Sequence, residues 1–140
     1  MKVLIINGPN LNLLGTREPG VYGNQTFKDY LSALKEKYNN VQFDYYQSNV
    51  EGDLVGELHR ADNKYNAVIL NAGAYTHTSL AIADAVAAIS VPVVEVHISN
   101  IFSREDYRHV SYLGKHCKGS VSGFGIKGYE IALQSFLLKD

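Results

Sequence analysis

The chain has 140 residues, a hydrophobic fraction of 46% and a formal net charge of -1. That length suits one domain with a proper core, and the apolar content excludes general disorder. The near-neutral charge, with both signs interspersed, excludes the basic stripe of a nucleic-acid-binding protein.

The N-terminal apolar run, residues 3–6, is too short for a secretory leader or a membrane span, so no membrane partner is expected. It ends at Asn7-Gly8-Pro9-Asn10, followed by a glycine-spaced loop that carries Arg17 and Tyr22. A buried strand that delivers amides and then a hinged, charged loop is a common way to assemble a catalytic site with a moving cover. An ordinary tyrosine has a pKa of about 10, and bringing it to neutrality takes about 3 units, or roughly 4 kcal/mol. One arginine about 4 Å away, at an effective dielectric near 20, supplies about that much.

Further short apolar runs follow at residues 41–46, 67–70, 91–96 and, more weakly, 120–122. Between them the apolar residues take helical spacing. Phe27, Tyr30, Leu31, Leu34 and Tyr38 form one face, with Thr26 as N-cap and Asp29 three residues on. Leu54, Val55, Leu58 and Ala61 form a second, Leu80, Ala83, Val86 and Ala87 a third, and Tyr129, Leu133, Phe136 and Leu137 a fourth. Strands alternating with helices predict an α/β fold: a flavodoxin-like, doubly wound, five-stranded parallel sheet of order 2-1-3-4-5, in a single catalytic domain spanning residues 1–140. Ligands of such sheets bind beyond the carboxyl ends of the strands, where strand order reverses. Asn7 and Asn10, Gln47, Ser48 and Glu51, Asn71, and then Glu95, His97 and Ser99 gather at those ends.

Glu95 and His97 are two apart on a strand and share a face. A carboxylate there fixes the imidazole's tautomer and favours its protonated form, a proton donor near neutral pH. The bland alternative is a histidine satisfied at a strand end. The five histidines show no HxH, HxxxH or HExxH spacing, so no metal site is expected. Residues 71–79 place Asn71, His77 and several hydroxyls at a strand-to-helix turn, suited either to a hydroxyl-rich ligand or to helix capping by Thr76 or Thr78. Asp84 is an acid in an apolar helix, facing solvent or another subunit. Arg104 and Arg108 are four apart, on one face of a short predicted helix, suited to carboxylate recognition or to a solvated ion-pair face. The single cysteine, Cys117, cannot form an internal disulfide and points to a reducing, cytoplasmic setting.

These motifs carry a family resemblance. NGPNLNLLGTREPGVYG at 7–23, QSNVEG at 47–52, NAGAYTHTSLAIADA at 71–85 and EVHISN at 95–100, with residues 104–108 and the glycine-rich 123–128, make the chain resemble the type II dehydroquinases, 3-dehydroquinate dehydratases. The resemblance implies reversible conversion of 3-dehydroquinate to 3-dehydroshikimate without cofactor, metal or Schiff base. It implies that Tyr22 is the base and that Arg17 favours its ionised form. It further implies that Asn10 stabilises the enolate through a water, that His97 is the acid and that Glu95 orients it. Asn71, His77, Ile98, Ser99, Arg104 and Arg108 match the family's substrate-binding positions, and Asp84 matches an acid reaching into a neighbouring subunit's site. The resemblance also implies a dodecamer, a tetramer of trimers. The competing reading from another class is a flavodoxin-like module holding flavin mononucleotide. That module needs a hydroxyl-rich phosphate loop after the first strand, where this chain has Gly8-Pro9-Asn10-Leu11-Asn12.

Overall fold

Five strands run parallel in a single sheet: β1 (Lys2–Asn7), β2 (Gln42–Gln47), β3 (Ala67–Asn71), β4 (Val93–His97) and β5 (Gly119–Ser122), in the order β2-β1-β3-β4-β5. This is the expected 2-1-3-4-5 order. The computed structural model describes residues 1–16 and 25–139. Among the described residues four α-helices cover the sheet: α1 (Phe27–Lys37), α2 (Glu51–Ala61), α3 (Leu80–Ala88) and α4 (Gly128–Leu137).

Side-chain alternation along the strands divides the core in two. Val3, Ile5, Ala67, Ile69, Val94 and Val96 pack with Phe27, Leu31, Leu34, Tyr129 and Leu133 of α1 and α4. Leu4, Ile6, Val68, Leu70 and Val93 pack on the opposite face with Leu54, Leu58, Ile82 and Val86 of α2 and α3. Leu54 and Leu58 are wholly buried, each contributing about 1.5–3 kcal/mol of transfer free energy. Thr26 caps α1 as its sequence position suggests, its hydroxyl accepting from the Asp29 amide at 3.2 Å.

Three local expectations are corrected. The buried side of α3 is Ile82, Ala83, Ala85 and Val86, while Leu80 is 66% exposed and Ala87 faces solvent. This helix is apolar nearly all round, so spacing alone did not fix its rotation. Its N-cap is Ser79, which accepts from the Ile82 amide at 2.9 Å, in place of Thr76 or Thr78. Arg104 and Arg108 do not share a helix. Two 3-10 turns, Ile101–Ser103 and Asp106–Arg108, flank extended backbone at Arg104 (φ -104°, ψ -168°) and Glu105 (φ -59°, ψ 148°). Asn100 favours that break, because its side chain accepts from the Phe102 amide at 3.1 Å and closes a turn too tight to propagate.

The loops after β1 and β3 pack directly on each other. The Gly8 amide donates to Asn71 O at 2.7 Å, and a Cβ on Gly8 would come within 2.5 Å of Ala72 O. Across the contact Gly73 takes a positive φ of 60° against Pro9. Side chains at either position would force apart the two loops that frame the switch point.

Candidate active site

A cleft of about 590 Å³, its open mouth included, lies at the carboxyl ends of β1, β3 and β4. It is lined by Pro9, Asn10 and Leu11, by Asn71, Gly73, Ala74 and His77, and by His97, Ile98, Ser99, Ile101, Arg104 and Arg108. Seven of these are residues that the family resemblance marks as substrate or enolate contacts: Asn10, Asn71, His77, Ile98, Ser99, Arg104 and Arg108. His97, the proposed acid, is an eighth. Strand order reverses at β1 and β3, so the cleft sits where a doubly wound sheet binds its ligand.

β4 supplies the charged pair. His97 Nε2 lies 2.9 Å from Glu95 Oε2, an ion-pair contact bent away from hydrogen-bond linearity. Both side chains are buried, and an unpaired carboxylate there would be costly. Burial pushes the Glu95 carboxyl up, but the contact and charge of His97 and the hydroxyls of Ser111 and Ser120 outweigh it and hold the group below its ordinary value near 4.5. Glu95 is therefore ionised at neutral pH.

His77 enters from the 3-10 turn Gly73–His77, its ring 6.1 Å from that of His97 and tilted by 26°. Its Nδ1 is 2.8 Å from Val110 O, and a carbonyl only accepts, so Nδ1 carries the proton. Burial pushes His77 below the ordinary histidine value, and the Val110 carbonyl only partly opposes it. At neutral pH it is an uncharged imidazole whose Nε2 is an acceptor.

The amides are fixed by a second network. Asn71 Oδ1 accepts from the Gly73 amide at 3.1 Å, while its Nδ2 donates to the Tyr129 hydroxyl at 3.0 Å. That hydroxyl donates to Asn7 Oδ1 at 2.6 Å, and Asn7 Nδ2 donates to the Tyr45 hydroxyl at 3.2 Å. Asn10 has a left-handed backbone (φ 69°), and its amide donates to Asn49 Oδ1 at 3.0 Å. Asparagine tolerates that conformation better than most residues.

On the rim the guanidiniums converge by way of a shared acid. Arg108 Nε lies 2.8 Å and Arg104 Nε 3.8 Å from Glu105 Oε2, and Arg104 Nη1 donates to Ser99 Oγ at 3.4 Å. Both arginines line the cleft even though no helix aligns them.

Asp84 is not brought to this cleft. It lies on α3, on the exposed side, along a separate groove with Leu80, Ala83, Ser111, Tyr112, Lys115 and His116. Arg17 and Tyr22 lie outside the described residues. Sequence reasoning missed Ser111, Ser120 and Tyr129. Ser120 was findable, because it stands opposite Glu95 in the β4–β5 register. Tyr129 was placed on a helix face but not given a role, though a buried phenol needs a polar partner. Ser111 sits in irregular backbone, and no periodicity marks it.

The family model for class II dehydroquinase matches residues 1–137. A 3-dehydroquinate dehydratase of Caldicellulosiruptor bescii is 51% identical over 135 residues, covering 94% of this chain and 93% of that protein. One from Nostoc is 49% identical over 139 residues, covering 98% and 95%. The crystal structure of a type II dehydroquinase from Butyrivibrio crossotus superposes with a TM-score of 0.94 at 42% identity, covering 99% of this chain and 98% of the other. One from Propionibacterium acnes gives 0.91 at 40% identity, covering 96% and 94%. Relatives this similar over nearly their whole length, together with the family model, leave one conclusion: the chain belongs to the class II dehydroquinase family.

Proposed function

We propose that this protein is a cofactor-free hydro-lyase of the shikimate pathway of aromatic amino-acid biosynthesis, removing water reversibly from 3-dehydroquinate to give 3-dehydroshikimate by anti elimination through an enolate. The observation that carries the reading is the buried Glu95–His97 pair opening into a cleft rimmed by Arg104 and Arg108. In a member of this family that arrangement supplies an acid on one side of a small carboxylated ring.

The steps divide between two faces of the substrate. Tyr22, kept ionised by Arg17, takes the proton from the carbon next to the ketone. The electron pair moves toward the carbonyl oxygen, and Asn10, acting through a water, stabilises the enolate charge there. His97 then gives its proton to the departing hydroxyl as the C–O bond breaks, so the leaving group is water. Glu95 holds His97 in orientation. Asn71 and neutral His77 hold the substrate, Ile98 and Ser99 meet the carboxylate, Arg108 binds hydroxyls at the polar edge, and Arg104 closes near Tyr22. Guanidiniums suit that edge because they pair with oxygen anions in fixed geometry.

The same reading makes residues 1–140 a single catalytic domain in a cytoplasmic homo-oligomer, a dodecamer built as a tetramer of trimers, with neither nucleic-acid nor membrane partners. Asp84 then serves a neighbouring subunit's cleft. Its exposed position beside Leu80 and Tyr112, two large apolar side chains open to solvent, supports this placement. No helix among the described residues is long and apolar enough to cross a membrane. Nothing in the site favours the flavin module, since the loop after β1 presents Pro9, Asn10 and Leu11 to the cleft in place of a hydroxyl-rich phosphate cradle.

The test is an ultraviolet assay for the conjugated enone formed from 3-dehydroquinate, run with and without chelator and borohydride. Turnover is expected to survive both treatments. Tyr22→Phe is expected to abolish turnover while substrate binding, followed by calorimetry, stays largely intact. Near-normal turnover by that variant would refute the assigned base.

A further inference from the structure

Two hydroxyls reach Glu95 from segments well separated from it in sequence. Ser120 is Glu95's register partner on β5, and its Oγ donates to Oε1 at 2.7 Å. Ser111 lies between Arg108 and the 3-10 turn Gly114–His116, and its Oγ donates to Oε2 at 2.5 Å. The Ser111 hydroxyl also accepts from the amides of Leu113 and Gly114, at 3.2 and 3.1 Å, which fixes where its proton points. With His97 Nε2 beside Oε2, each carboxylate oxygen faces a donor, and each of these contacts is stronger to the charged carboxylate than to the neutral carboxyl.

We propose that Ser111 and Ser120 are positioning residues that lock Glu95 as a fixed anion against His97, so that the acid of the reaction is held in register with the cleft. This rests on the reading of His97 as the proton donor. Neither serine lines the cleft, so both act through Glu95.

The surroundings of the carboxylate leave this role to the hydroxyls. From β4 itself only His97 faces it. The turn after β3 contributes His77, which is neutral, and the Asp106–Arg108 turn contributes Arg108, engaged by Glu105. The segment beyond Gly114–His116 contributes Cys117, whose thiol is pushed up to about 12 by burial and by the Glu95 charge and so stays neutral. Leu70 on β3 is apolar, and Asp84, Lys115 and His116 lie along the separate groove.

Ser120 gives the cleaner test. It sits on an exposed edge strand, whereas Ser111→Ala would also orphan two backbone amides. The full-length enzyme, labelled with carboxyl-13C glutamate, is titrated by NMR to follow Glu95, and the pH dependence of kcat is measured in parallel. Loss of a donor to the charged form favours the neutral one. Ser120→Ala is therefore expected to raise the Glu95 titration and the acid limb of kcat together, by about half a unit to one unit, with KM little changed. Ser120→Thr, which keeps the hydroxyl on a β-branched residue suited to a strand, is expected to restore both. An alanine variant whose Glu95 titrates as in the unmodified enzyme, or a shift that threonine does not restore, would overturn the proposal. Failure of the unmodified enzyme to turn over 3-dehydroquinate would sink the proposed function instead, while the carboxyl titration would still decide the role of Ser120.

Discussion

Two polar networks stand at the same end of the sheet, on opposite faces. Asn7, Asn71 and Tyr129 lie on the face covered by α1 and α4, where every member is neutral. Glu95, His97, Ser111 and Ser120 lie on the face covered by α2 and α3, built around a charge. Both are assembled from a strand-terminal residue and partners far along the chain. The neutral network orders amides at a cost that does not vary with pH. The ionic one holds the proposed proton donor and is tied to pH by the Glu95 charge. On the proposed function, the fold separates the parts that orient a substrate from the part that exchanges protons.

The sharpest way to break that contrast is Glu95→Gln, which keeps shape and removes charge. Turnover of the substrate at saturation is expected to fall at least about tenfold, and by no more than the roughly 10²–10⁴-fold that a positioned acid contributes in all. Stability should respond in its own way. The folded-state value of Glu95 lies below the ordinary one near 4.5, so its contribution is fully present above that value and is lost as pH falls through the folded one. Denaturant melts of the native enzyme should therefore weaken below about pH 4.5 by a component that Glu95→Gln lacks. Identical acid profiles for the two proteins would show that the charge is not what this face is built around.

Tyr129→Phe is the matching cut on the neutral face. It leaves Asn71 Nδ2 and Asn7 Oδ1 without their partner in a site water does not reach. A buried unsatisfied group costs about 1–3 kcal/mol, so chemical melts are expected to show a loss of roughly 2 kcal/mol or more. Burial, which outweighs its two asparagine partners, keeps the Tyr129 phenol neutral far beyond physiological pH, so the loss should be the same at pH 5 and pH 8. A loss that grows or shrinks across that range would mean the two faces are electrostatically coupled.

Much of this organisation was legible in the sequence. The strand order followed from short β-branched runs alternating with helical spacing, because a parallel sheet with both faces covered is the usual way to bury them. The candidate site was legible for a related reason: Asn71, Glu95 and His97 are polar residues at the ends of otherwise apolar strands, where a core function is hard to assign. What stayed hidden was set by tertiary contact. The rotation of α3 was ambiguous because the helix is apolar on nearly every side. The arginines were expected on one helix, yet an asparagine turn at residue 100 holds the backbone at Arg104 and Glu105 extended, and Glu105 gathers them instead. Ser111 could not be seen at all, since only the path of the loop after Arg108 brings it to a carboxylate 16 residues earlier.

The smallest effect should come from the outer end of the neutral network. Tyr45 accepts from Asn7 Nδ2 at 3.2 Å, but its side chain is 36% exposed and its ring is stacked on Phe27 with centroids 4.7 Å apart. Tyr45→Phe keeps that stack and removes only the hydroxyl. Solvent near the strand edge can take over the acceptor role for Asn7, so the expected loss is about 0.5–1 kcal/mol, clearly below that of Tyr129→Phe. If the two variants lose equal stability in the same melts, the network behaves as one unit and Asn7 cannot exchange its outer partner for water. If Tyr45→Phe loses less, as argued, the rigidity of the amides is concentrated at the single phenol that α4 drives between β1 and β3. The orientation of Asn71 then depends on a helix residue buried on the face away from the charged pair.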